Sequence, residues 1–367
     1  MVYHRRNLQR IIELNKCDMS VILNESNVFY FTRFPRAYGT ILIALRDGSW
    51  KVVTPLLDFW RASDSLRDVE VIPYAPYNLE DVSKELGIKV KSLESIMKSF
   101  IKKLKITKLC TDDVCRIKKY VDGDVKIIDI SDDVSRARAI KDSEELELIR
   151  HALQITEEAL WRVLESLMPG LREVEVAGLL ESSMKYLGAC GYAFDTIVAS
   201  GPNSSYPHAV PTSREIKLGD VVVIDLGAKY SGYSSDMTRT VVLGKVDEEI
   251  RKVFDAIVEA IHNAVDVIRD GVKAGEVDRA ARDTLKKYGL SKYFIHSTGH
   301  GVGIDVHEIP RLSQSSDEIL REGMVITIEP GVYIHGRYGV RIENMVVVRK
   351  RKGEVLNKKP LLYSISA

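Results

Sequence analysis

The sequence predicts an α+β protein in two parts, a smaller α/β domain over 1–131 followed by a larger α+β domain over 132–367. Three observations predict it. The chain has 367 residues, more than the roughly 250–300 at which a single core stops growing. Strand-like and helix-like periodicities alternate along it. A polar stretch, SDDVSRARAIKDS, separates a β-rich first part from a long amphipathic helix.

In the first part, VILNESNVFYFT, TILIAL and WKVVTPL read as strands, and Leu93 to Leu104 has the spacing of an amphipathic helix. KKLKITK at 102–108 reads as the solvated end of that helix leading into a strand. After the polar stretch, Asp142 with Glu145 three residues on signals a helix start. Leu146, Ile149, Leu153, Leu160, Leu164 and Leu167 give that helix one apolar face, and Pro169-Gly170 stops it. A second helix follows from Arg172 to Leu187. Strands are expected at Thr196–Ser200, Val221–Leu226, Ser234–Leu243, Met324–Ile328 and Arg341–Val348, with helices at Glu248–Arg269 and Glu276–Lys287. Two strand-rich blocks, each preceded by a helical pair, hint at an internal pseudo-repeat.

Composition excludes several function classes. Hydrophobic residues at 45% and charged residues at 29% exclude a disordered chain. A net charge of +1 offers no global field for nucleic acid or an anionic membrane. Residues 1–130 carry 22 basic and 17 acidic side chains against 31 and 35 in 131–367, so the acids gather in the second part. No run approaches the roughly 20 apolar residues of a membrane span. Cys17, Cys110, Cys115 and Cys190 form no CxxC, and MVYHRRNLQRIIELNK lacks the apolar run of a signal peptide, so the expected compartment is the reducing cytoplasm. Gln occurs only at Gln9, Gln154 and Gln314, a hint of a thermophilic source.

The chemistry is carried by acids placed in pairs. Asp225 and Asp236, in VVVIDLGAKYSGYSSDMTRTVVL, flank a Gly-containing turn. A regular hairpin with its midpoint at Tyr230/Ser231 would set the two carboxylates opposite each other, with Cβ atoms roughly 5 Å apart. Anions that close repel unless a cation lies between them. Solvated hairpin acids are the bland alternative. Glu329 and Glu343, in ITIEPGVYIHGRYGVRIENMVVV, repeat the arrangement about Gly336. Arg341, two residues before Glu343 and on the same sheet face, could orient a ligating carboxylate. His300 sits in STGHGVGIDVHEIPRLS between Gly299 and Gly301, with His296 and His307 on either side, and His208 occupies a Pro/Ser-rich loop. Four carboxylates and one neutral imidazole balance two divalent cations and overload one. Such ligation favours Mn²⁺, with Co²⁺, Fe²⁺ or Zn²⁺ as alternatives, and a paired site of this kind suits hydrolysis.

The order Asp, Asp eleven residues later, His in GHGxG, Glu in EPG and Glu in RIE resembles the metallopeptidases of the pita-bread fold over most of residues 140–350. The first domain resembles that of the creatinase, prolidase and aminopeptidase P branch, and argues against methionine aminopeptidase. The resemblance implies Asp225, Asp236, His300, Glu329 and Glu343 as ligands of two divalent metal ions, a set that creatinases lack. It implies His208, His296 and His307 in the substrate pocket, His208 and His307 as oxyanion stabilisers, and Glu329 as proton shuttle. A metal-bridging hydroxide would attack the carbonyl before proline. Arg311, four residues after His307, resembles the residue that binds the free proline carboxylate in archaeal-type prolidases. The expected activity is therefore Xaa-Pro dipeptide hydrolysis, with an aminopeptidase P acting on longer peptides as the alternative. A non-catalytic peptide-binding relative would be expected to lose part of the ligand set. The resemblance further implies a homodimer acting on proline-containing peptides, while the near-zero net charge and the lack of an apolar span set aside nucleic acid and membrane as partners.

Overall fold

The computed structural model describes residues 4–76, 79–361 and 363–365. The chain divides into two compact units, Met1–Arg138 and Ala139–Ala367. In the first, β1 (Met19–Ile22), β2 (Ile41–Leu45), β3 (Trp50–Pro55), β4 (Glu70–Tyr74), β5 (Lys108–Thr111) and β6 (Lys126–Asp129) form one sheet in the order β4-β3-β2-β1-β5-β6. It is mixed, because β1 runs antiparallel to β2 and parallel to β5. The connecting helices are α1 (Arg5–Leu14), α2 (Glu25–Thr32), α3 (Phe59–Ser65), α4 (Glu80–Leu86), α5 (Leu93–Lys103), α6 (Val114–Ile117) and α7 (Ser131–Ala139). Met19, Val21, Ile41, Ile43 and Val53 of the sheet meet Ile96 and Met97 of α5 in the core.

Two sequence expectations differ here. NVFYFT belongs to α2, not to a strand: the Asn24 side chain accepts from the N–H groups of Ser26 and Asn27 and starts a helix there. Val28, Phe29, Tyr30 and Phe31 are all buried, and an element apolar all round carries no period that separates helix from strand. The polar stretch is also helical. Asp132 and Asp133 in the first turn of α7 and Arg136 and Arg138 in its last suit the helix dipole. The units divide at the far end of this helix rather than at its start.

A disulfide joins Cys17 to Cys110 with Cα atoms 5.9 Å apart, while Cys115 and Cys190 are free and exposed. The parallel pairing of β1 with β5 brings together cysteines 93 residues apart, a proximity that no local spacing motif announces.

In the second unit the capping box of Asp142 and Glu145 starts α8 (Ser143–Leu164), and its six expected core residues are all buried. Next come α9 (Glu173–Tyr186), β7 (Gly191–Tyr192), β8 (Ile197–Ser200), β9 (Val221–Leu226), β10 (Ala228–Tyr230), β11 (Tyr233–Ser234) and β12 (Met237–Leu243). A second helical pair, α10 (Glu248–Val267) and α11 (Ala274–Lys287), precedes β13 (Gly299–Gly301), β14 (Glu308–Leu312), β15 (Val325–Ile328), β16 (Gly331–Ile334), β17 (Tyr338–Arg341), β18 (Asn344–Val348), β19 (Gly353–Val355) and β20 (Ser364–Ile365). The two main sheets run β20-β12-β9-β8 and β14-β13-β15-β18-β19. Apolar faces of α10 and α11, including Phe254, Ile257, Ile261, Ala281 and Leu285, join Ile326, Ile328 and Val346 in one core.

Each long hairpin is interrupted. β9 and β12 pair up to Leu226 and Met237, then β10 and β11 continue as a separate ribbon. β15 and β18 stop at Ile328 and Asn344, and β16 and β17 continue beyond. Asp236, Glu329 and Glu343 sit in these interruptions. Among the described residues, no helix is long and apolar enough to cross a membrane.

Reduction of the Cys17–Cys110 bond should lower the unfolding free energy of the first unit by about 2–4 kcal/mol, since a disulfide restricts the unfolded chain more as the loop lengthens. Urea unfolding followed by fluorescence of Trp50 and Trp60, with and without reductant, measures it. Coincident curves would contradict it.

Candidate metal centre

All ten candidate residues from the sequence line one cavity of about 620 Å³ in the second unit: Asp225, Asp236, His300, Glu329 and Glu343, together with His208, His296, His307, Arg311 and Arg341. The two hairpins deliver the four acids differently. Glu329 and Glu343 lie in the register expected, because both ladder segments are symmetric about Gly336, from Val325↔Val347 to Ile334↔Tyr338. The first hairpin instead turns at Ser231 and Gly232, with φ of 46° and 87°, the paired positive φ of a two-residue hairpin turn. Asp225 therefore faces Thr238, not Asp236. Asp236 becomes its diagonal neighbour. The slip is two residues, so both acids keep the same face.

His300 lies on β13, where a Cβ at Gly299 would stand 1.9 Å from the Thr327 carbonyl oxygen. That glycine lets β13 press against its sheet neighbour β15. The His300 Nδ1 is 3.0 Å from the Gly301 carbonyl oxygen, which can only accept, so Nδ1 carries the proton. Burial pushes the His300 pKa down to about 4. Its Nε2 is then a bare lone pair, 3.5 Å from Asp236 Oδ2 and 3.4 Å from Glu329 Oε1.

The acids are equally frustrated. Burial, and then the neighbouring carboxylates, push the Asp236 and Glu343 pKa values well up. Burial pushes Glu329 to about 8, with Asp225 adding to the rise and Arg341 opposing it. Asp225 Oδ1 is buried with no hydrogen-bond partner. Asp236, His300 and Glu343 each offer a ligand atom within 4.8 Å of the others. Acceptors converging without donors are what a cation site requires, so this donor set fits divalent metal.

What donors exist lie behind the acids. Arg341 Nη2 donates to Asp225 Oδ2 at 2.7 Å, Nη1 to Tyr333 Oη at 2.7 Å and to Pro207 O at 3.1 Å, and Nε to Thr238 Oγ1 at 3.0 Å. Thr238 Oγ1 donates onward to Glu343 Oε2 at 2.9 Å, and Thr327 Oγ1 donates to Glu329 Oε1 at 3.2 Å. Arg341 thus holds Asp225 directly, and Glu343 only through Thr238. The two threonines and Tyr333 escaped the reading of the sequence. A signal existed for the threonines, since each lies two residues from an acid and so on the same face.

His296 Nδ1 lies 2.8 Å from Ser297 O and its Nε2 3.1 Å from Tyr333 Oη, and burial pushes its pKa to about 4. His307 stacks edge-on against His300 with centroids 4.3 Å apart, and burial lowers its pKa as well. Arg311 stands directly across the ladder from His300 and is exposed. Among the described residues, no carboxylate pairs with its guanidinium. His208 is exposed at the cavity wall.

Known families match nearly the whole chain. Residues 147–350 match metallopeptidase family M24, and residues 4–140 match the creatinase/prolidase N-terminal domain. The Xaa-Pro dipeptidase of Pyrococcus furiosus is 38% identical over 355 residues, 96% of each chain. Among solved structures, the X-Pro aminopeptidase from Thermotoga maritima is similar with a TM-score of 0.88 at 31% identity, covering 99% of both chains. The prolidase from Pyrococcus furiosus has a TM-score of 0.84 at 35% identity, covering 96% of this chain and 99% of that one.

Protonation of these groups links stability to pH. Glu329, raised from 4.5 to about 8, keeps a proton in the native state that the unfolded chain loses, so its contribution falls away as pH rises from 4.5 to about 8. His296 and His300, lowered from 6.5 to about 4, act oppositely, but only below 6.5. Metal-free protein should therefore lose stability between about pH 6.5 and 8. Divalent metal at about a hundredfold its Kd should add about 2.7 kcal/mol and flatten the slope. Thermal unfolding across that range, with chelator and with Mn²⁺, checks it; a flat or rising profile under chelation would contradict it.

Proposed function

The chain belongs to metallopeptidase family M24 and is a metal-dependent peptidase whose larger unit has the pita-bread fold, and from that premise we propose that it hydrolyses the Xaa-Pro bond of dipeptides, as a prolidase. Asp225, Asp236, His300, Glu329 and Glu343 would hold two divalent ions, Mn²⁺ or Co²⁺ ahead of Zn²⁺ or Fe²⁺ for a donor set this rich in carboxylate. Such a pair, when bound, supplies Lewis acidity and a water acidified toward a pKa of about 7.

The chain's own groups do the rest. Glu329 accepts a proton and passes it to the departing proline nitrogen. His307, kept neutral by the burial that lowers its pKa, donates with His208 to the oxygen that gains charge at the scissile carbonyl. His296, held between Ser297 and Tyr333, lines the wall beside them.

Arg311 carries the choice of a dipeptide. Its guanidinium has no carboxylate partner among the described residues, lines the cavity and stands opposite His300. A free proline carboxylate supplies the missing anion through paired, charge-assisted hydrogen bonds. The likeness to the X-Pro aminopeptidase of Thermotoga maritima favours a second reading, removal of the first residue from longer peptides. The protein is further proposed to be a cytoplasmic homodimer; a cytoplasmic disulfide fits a hyperthermophilic source, as do the three glutamines.

The test is hydrolysis by Mn²⁺- and Co²⁺-loaded protein of an Xaa-Pro dipeptide beside an Xaa-Pro-Yaa-Zaa peptide, with chelated protein as control. Cleavage of the dipeptide in preference is expected, and preference for the tetrapeptide would replace it with the aminopeptidase reading. Arg311→Ala should lower kcat/KM for the dipeptide by about 10- to 100-fold while sparing the longer peptide. Asp236→Asn should reduce bound metal and activity together; a fully metallated, active variant would remove Asp236 from the ligand set.

A further inference from the structure

His208 raises a physical question. It is exposed at the cavity wall, and a group that stabilises a developing charge must be held still in advance. Its position has to come from its backbone, a loop running from Ser200 at the end of β8 to Thr212. That loop is tied at both ends to one residue. Glu173, fully buried at the first turn of α9, accepts at Oε1 from Ser200 N and Ser200 Oγ, both at 2.7 Å, and from Asn203 Nδ2 at 3.2 Å. At Oε2 it accepts from Asn203 Nδ2 at 3.1 Å, Thr212 N at 3.0 Å and Thr212 Oγ1 at 2.6 Å. Three residues from the two ends of a loop thus converge on a single carboxylate.

We propose that Glu173 is a positioning residue for the reaction: its carboxylate clasps the two ends of the 200–212 loop and so presents His208 to the scissile carbonyl. The inference rests on the role of His208 given above. The geometry requires an anion with both oxygens accepting. A glutamine would turn an N–H₂ donor toward donors on one side, and an aspartate falls one methylene short. Inside the loop, Ser204 Oγ accepts from Gly339 N at 2.9 Å, and the Pro207 carbonyl accepts from Arg341 at 3.1 Å. These bonds seat the loop's first half against β17, while the stretch after His208 is anchored at Thr212. Glu173 itself does not line the cavity; Ser200 also pairs with Val222 in the β8–β9 ladder that carries Asp225, so the protection of β9 is what separates an effect on the loop from an effect on that ladder.

The test compares E173Q, H208A and the double variant in the metal-loaded full chain. E173Q should keep its full metal content and near-normal KM while kcat falls about 100-fold, the scale for misplacing or losing one oxyanion donor. The double variant should be no slower than H208A, since the clasp acts only through that side chain. Hydrogen exchange gives a readout independent of activity. Amides of 201–212 should exchange about tenfold faster or more in E173Q, while those of β9 and β12 keep their protection. Should E173Q fail to fold, T212V removes one hydroxyl donor, and a smaller kcat loss that vanishes in the H208A background is expected. Losses of E173Q and H208A that multiply, or unchanged exchange in the loop, would overturn the inference alone. Full activity of H208A would overturn the role of His208, and the inference with it.

Discussion

Everything in the second unit answers to one electrostatic conflict: four carboxylates and an imidazole lone pair aimed at the same small volume. Each is an acceptor, and burial removes the water that would ordinarily separate them. The fold keeps them there with the buried Arg341 guanidinium and two threonine hydroxyls placed behind the acids, so that donors steer the carboxylates without filling the space between them. Arg341 alone reaches Asp225, Tyr333, Thr238 and Pro207. The centre is held from behind and left open in front, as a site that is to admit divalent metal and a substrate has to be.

The hairpins show how local geometry serves that conflict. Interrupting the ladders at Asp236, Glu329 and Glu343 leaves these residues without ladder partners, while the flanking segments hold their register. A backbone bond from Glu343 N to the Thr238 carbonyl, and the Thr240 hydroxyl accepting from Arg341 N and donating to the Arg341 carbonyl, then lock one hairpin against the other. The same plan appears twice, with a helical pair preceding each hairpin.

Much of this was legible in the sequence, and the failures have specific causes. The capping box, the apolar face of α8 and the symmetry about Gly336 are local patterns whose physics is complete within a few residues, and each appears as read. The hairpin carrying Asp225 and Asp236 was read with its turn one residue early, because Ser231 was not recognised as able to take the left-handed conformation that Gly232 shares. NVFYFT was misread because burial on every side erases periodicity. The Cys17–Cys110 pairing depends on strand order across 93 residues, which no motif encodes. Arg341 was recognised as an orienting residue, but its target is Asp225, a partner set by the packing of one hairpin on another. The threonines went unremarked because a hydroxyl in a strand is ordinarily just a strand residue.

The misplaced turn nevertheless left both acids facing the cavity, because the error was even. A pleated strand sorts its side chains by parity alone. Length changes at the tip of this hairpin therefore fall into two kinds: those that add or remove residues in equal number on both arms, which leave the inward set untouched, and those that shift one arm by a single residue, which turn an inward acid out toward the opposite face. The ribbon of β10 and β11 beyond the interruption is fixed by its own packing, since Tyr233 is fully buried and its hydroxyl donates to Glu145 Oε1, so the tip at Ser231 and Gly232 is where residues can be added in pairs without moving the inward set.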